Sequence, residues 1–155
     1  MAIRRSALFE LGGFNPEIFG SRWLGDGETG LNRKLWASGR LVGYVPDAVV
    51  YHHVPAERMT VAYLRRRQAN DGACDMYARF HQRMPSVVGL ARAGAAIVAE
   101  SARDWVADPV FRGRTTARAL RVQMRAARAW SRLEYLVRLM MSRQLRALVT
   151  QQDWL

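Results

Sequence analysis

Arg114, Arg118, Arg121, Arg125, Arg128 and Arg132 recur at spacings of 4, 3, 4, 3 and 4. Only an α-helix brings residues three and four apart onto one face, so this stripe commits the end of the chain to a helix. Leu120, Met124, Ala127, Trp130, Leu133, Leu136, Val137 and Met140 offer apolar area beside and opposite it. The breaks that precede it are Asp108-Pro109 and Gly113, so one long basic helix is predicted over 114–150. Upstream, Thr60 is placed to cap a helix through Tyr63–Arg67, and Pro85-Ser86 precedes an alanine-rich helix over 87–100. That last run carries Arg92 and is shorter than a membrane span, so it reads as a packed or interfacial helix.

The first 58 residues have a different character. Ser6–Leu11 reads as a short helix stopped by Gly12-Gly13, and residues 14–20 as a loop with aromatic anchors. Residues 26–38 read as a second helix, with acids in its first turn, Arg33 and Lys34 following, and Gly39 at its end. Leu41–Val45 and Ala48–His52 are apolar runs separated by Pro46-Asp47 and read as two strands, the second buried on both faces. Two strands cannot form a stable sheet alone, so this part is expected to belong to something larger. The division is therefore an α/β portion over 1–58 and a mainly helical tail over 59–155, with helix dominant overall.

Charge divides the chain at the same place. Residues 1–58 balance at +1 and residues 59–155 at +10, nearly all of it arginine. Such asymmetry suits an anionic partner, and a row of arginines serves an anionic membrane surface, nucleic acid or plain solvent equally well. No nucleic-acid module accompanies the stripe, which ranks nucleic acid last. Half of the residues are hydrophobic, enough for a core, and the single Cys74 permits neither a disulfide within the chain nor a cysteine-based zinc site. The opening residues are not those of a secretory signal.

Chemistry is concentrated in Trp23-Leu24-Gly25-Asp26-Gly27-Glu28-Thr29-Gly30. Carboxylates serve as general bases and hard-metal ligands, and glycines let backbone approach a ligand. The alternative for Asp26 and Glu28 is helix capping, which leaves three glycines unaccounted for. His52, at the end of the second predicted strand, is either a metal or phosphate ligand or an ordinary half-buried imidazole. Of the triplet Arg65-Arg66-Arg67, one or two can face a single ligand, and the alternative is a solvated helix face.

Taken in order, Leu11-Gly12-Gly13-Phe14-Asn15-Pro16, Gly25–Leu31 and Gly43–His52 resemble the second half of a family 2 glycosyltransferase of the GT-A fold, over about residues 1–70. The resemblance implies a Rossmann-like C-terminal half with two short strands. It also implies inverting transfer of a sugar from a nucleotide-sugar donor to an acceptor hydroxyl, lipid-linked or on a polysaccharide. Glu28 falls on the family's catalytic base and Asp26 on a neighbouring acid that binds the acceptor or holds the loop. Trp23, Gly25 and Gly27 line the substrate, Arg66 or Arg67 touches the diphosphate, and His52 helps hold a divalent metal, Mn or Mg. Here Gly27 precedes Glu28 where the family has a Glu-Asp pair. The family's donor-binding half, with its Asp-x-Asp motif, precedes the segment resembled, so a fragment of low or no activity is expected. Its expected location is the cytoplasm, peripheral on the inner face of the membrane. A non-enzymatic helical adaptor on anionic membrane is the rival expectation.

Overall fold

A computed structural model describes residues 2–19 and 22–155; the side chains of Phe19, Arg22 and Trp23 lie outside the described set. Helix α1 spans Arg5–Glu10, and β1, Ile18–Phe19, pairs antiparallel with β2, Arg22–Trp23. Helix α2 follows at Gly27–Ala37, and a single 3-10 turn at Ala56–Met59 leads into α3, Val61–Phe80. Two further long helices, α4 at Val87–Phe111 and α5 at Ala117–Met141, precede a short α6 at Arg143–Thr150.

Four of these helices start where a hydroxyl satisfies an orphan backbone amide, Ser142 of α6 among them. Thr60 accepts from the amide of Tyr63, Ser86 from Gly89 and Thr116 from Ala119. Helix α4 does not stop at Asp108-Pro109, as the sequence suggests, but runs on to Phe111 with the proline inside it. Buried Asp108 holds that end, accepting from Arg112 one turn on at 3.0 Å and from Arg65 of α3 at 3.1 Å. The predicted long helix over 114–150 is two helices. Ser142 closes α5 and starts α6, its hydroxyl accepting from the amide of Leu145 at 3.1 Å.

Helix α5 packs against both α3 and α4. Tyr77 and Phe80 of α3, Leu90 and Ile97 of α4, and Leu136 and Leu139 of α5 fill one apolar cluster that α6 closes with Leu145 and Val149. Leu24, from the loop before α2, is fully buried in the same cluster. Ion pairs lash the helices together at its edge. Asp75 of α3 accepts from Arg128 at 2.8 Å and from Arg132 of α5, and Asp104 of α4 accepts from Arg125 at 2.8 Å. Burial opposes ionisation of Asp75, but the two guanidinium groups outweigh it and hold the carboxyl below its ordinary range.

The α/β half expected from the sequence is not there. Among the described residues the only strand pairing is the two-residue β1–β2 ladder, too short to present a sheet face. Leu41–Val45 and Ala48–His52 are exposed throughout and unpaired; only a turn forms between them, the Ala48 amide donating to the Val45 carbonyl at 3.1 Å. Strand-prone side chains supply propensity, but a strand needs a neighbouring edge for its amides and carbonyls, and here none is within reach.

Candidate functional site

The Leu24–Gly30 loop is pinned from several sides. Its entry is held where Tyr135 of α5 donates from its hydroxyl to the Leu24 carbonyl at 2.6 Å, and the Cys74 thiol to the Gly25 carbonyl at 3.1 Å. Asp26 opens helix α2 yet makes no capping bond with its side chain. Its carboxylate is spent elsewhere. One oxygen accepts from the Asn15 amide at 2.8 Å and the other from Arg33 at 2.9 Å. At 7 % exposure Asp26 is a tie at the centre of the loop.

The three glycines admit atoms of the chain itself. A Cβ on Gly25 would strike the Pro16 carbonyl, and one on Gly30 would strike the Asp26 carboxylate and the Asn15 amide. Gly27 has φ +45° and lies against the Glu17 side chain, so both its conformation and its space exclude a side chain. The close approach expected of a ligand is made by the protein.

Beside this loop lies a cavity of about 550 Å³. Its walls include Asp26, Asn15, Arg33, Lys34, His81 and Gln152. Lys34 of α2 donates to the carbonyls of Gly13 at 3.1 Å and Gln152 at 3.2 Å, tying the start of the chain to its end. Burial lowers the Lys34 pKa against the opposing pull of Asp26 and Asp153. His81, where α3 ends, stacks on Tyr77 with centroids 4.7 Å apart, and its Nδ1 lies 2.6 Å from the Val149 carbonyl. The Val149 carbonyl can only accept, so Nδ1 carries a proton in that contact. His81 Nε2 and Asn15 Oδ1 are both buried, and neither has a hydrogen-bond partner. A carboxylate, an amide, an imidazole and an ammonium in the lining of one cavity suit a ligand rich in hydroxyls.

Sequence-nominated residues are dispersed. Asp26 is in the cavity wall, whereas Glu28 points to solvent in the first turn of α2 and is not among the lining residues. Gly25 and Gly27 are buried structural positions, and Trp23 contributes its backbone to β2. Arg66 and Arg67 are exposed on α3, Arg67 paired with Asp71 one turn on, and Arg66 lines a separate hollow. His52 is exposed in the unpaired segment. Among the described residues no three His, Cys, Asp or Glu side chains come together as a donor set. Asn15, Lys34 and His81 carry no spacing signal toward Asp26; they converge through packing from positions 15, 34 and 81.

Half of the arginine stripe is engaged internally through Asp75 and Asp104, while Arg114, Arg118 and Arg121 are exposed. Among the described residues no helix is long and apolar enough to cross a membrane. Comparison of the chain with protein-family models, with curated proteins and with solved structures returned no match.

Proposed function

We propose that the chain carries the acceptor side of a glycosyl transfer, holding a saccharide or other polyol hydroxyl in the cavity around Asp26. The observation that carries this is the polar lining of one cavity, where Asn15, Asp26, Lys34, His81 and Gln152 stand together. Sugar hydroxyls donate to amide and carboxylate oxygens and accept from an ammonium such as Lys34. In this reading Asp26 holds the loop through its bonds to Asn15 and Arg33, and Lys34 and Gln152 of the cavity wall meet the acceptor. Glu28, exposed in the first turn of α2 outside the cavity lining, is assigned as the base that takes the hydroxyl proton as the acceptor oxygen bonds to the anomeric carbon and the bond from that carbon to the donor's diphosphate breaks.

The test is release of nucleoside diphosphate from a panel of nucleotide-sugars, with and without Mn²⁺ or Mg²⁺, in the presence of oligosaccharide or lipid-linked acceptors. Turnover is expected to be low, to require an acceptor, and to vanish in Glu28→Gln with the helical fold intact. Turnover that Glu28→Gln leaves unchanged removes Glu28 from the role. Turnover that needs no acceptor removes the acceptor-site reading.

A further inference from the structure

A second hollow, of about 530 Å³, opens between α3, α4 and α5, away from the Asp26 loop. Trp105 forms one wall, fixed by its indole N–H donating to the Ala126 carbonyl at 3.1 Å. Trp130 meets it edge-on, with centroids 5.9 Å apart and planes at 80°, yet remains 62 % exposed. Around this aromatic corner stand Arg65, Arg66 and Arg112, against one carboxylate, Asp108. Asp108 is spent on Arg65 and Arg112, and the Arg66 guanidinium lies 5.4 Å from the Tyr63 ring centre. Three cations against one anion leave an excess of two positive charges beside an exposed indole.

An exposed tryptophan beside an excess of arginine charge matches a membrane interface, where indoles settle at headgroup depth and guanidinium groups meet phosphates. The complement to the hollow is an anion carried on an apolar body.

We propose that this hollow seats the headgroup phosphate of an anionic phospholipid, with Arg66 and Arg112 on the phosphate and Trp130 entering the interface. The contact is built from side chains of three helices, and the arginine stripe of α5 contributes its exposed beginning only as surrounding field. It is independent of the saccharide cavity, so either can fail alone.

The test is co-sedimentation of the full chain with phosphatidylglycerol–phosphatidylcholine vesicles and with phosphatidylcholine vesicles, read together with tryptophan quenching by brominated phosphatidylglycerol. Binding is expected on the anionic vesicles only, with quenching that falls in Trp130→Phe. Arg66→Gln is expected to weaken partitioning about fivefold, near the value of one basic residue at an anionic surface. Arg83→Gln, an exposed control outside the hollow, is expected to change it less than about twofold if the hollow rather than net charge sets the contact. Absence of binding to anionic vesicles overturns the proposal, as does an equal loss in the two arginine variants. Glycerol phosphate that binds free in solution and displaces the vesicles overturns it too, by making the occupant a soluble phosphate.

Discussion

Gly30 has no room for a methyl group, because the Asp26 carboxylate and the Asn15 amide already occupy that space. Gly30→Ala is therefore expected to lower the urea midpoint, with a loss of about 1–3 kcal/mol as the tie is pushed apart. Tyr135→Phe removes the bond to the Leu24 carbonyl and is expected to cost about 1 kcal/mol, leaving a buried carbonyl with one partner fewer. Both effects would be read by chemical denaturation of the purified variants. At this scale the sequence shows that the Asp26 loop is special and misassigns the reason. Three glycines around two acids look like space for a ligand, and here they are space for Pro16, Glu17 and Asn15. His81 was beyond reach in the sequence, since a lone histidine at a helix end has no periodic partner and acquires its meaning only when Val149 orients it.

At the level of the helices, the arginine spacing predicts a helix here, though the single helix expected over 114–150 is two, α5 and α6, and the C-terminal half of the stripe serves the bundle. Asp75 bridges Arg128 and Arg132, and its pKa lies below that of an unfolded carboxyl. A depressed carboxyl contributes stability that is fully present above its unfolded value of about 3.9 and is lost as pH falls through the folded one. Unfolding free energy is thus expected to decline from about pH 5 downward, with Asp108, also depressed by Arg65, contributing in the same direction. Asp75→Asn is expected to lower stability at neutral pH by roughly 1–2 kcal/mol, a figure discounted for the partial exposure of all three side chains, and to flatten the acid limb. An acid limb unchanged in Asp75→Asn would mean the pairs contribute nothing. Helix ends were less legible than helix bodies. Pro109 reads as a stop, yet it sits in the last turn of α4, which runs on to Phe111 with Asp108 accepting from Arg65 and Arg112.

Over the whole molecule, a helical bundle is closed by the chain's own end, where the Trp154 amide donates to the Gly12 carbonyl at 3.0 Å. Residues 41–54 stand outside it, with Leu41, Tyr44, Val50 and Tyr51 between 86 % and 100 % exposed. Chymotrypsin is expected to cut first at Leu41, Tyr44 or Tyr51, leaving the three long helices intact, because this backbone lacks the bonds that protect the rest. The same segment explains why the α/β expectation failed. Its composition is that of a strand, and strandedness depends on an edge that sequence pattern cannot supply. The helical part was legible because helices satisfy their backbone locally. The account stands most directly on what the Asp26 cavity holds, and the measurement is a saccharide titration followed by backbone and side-chain amide shifts. Shifts are expected to gather at the Asn15 side-chain amide, Gly30, Lys34 and His81, to be lost in Asp26→Asn and to leave Trp130 unmoved. A panel of saccharides that moves none of these resonances, or moves them equally in Asp26→Asn, would contradict it.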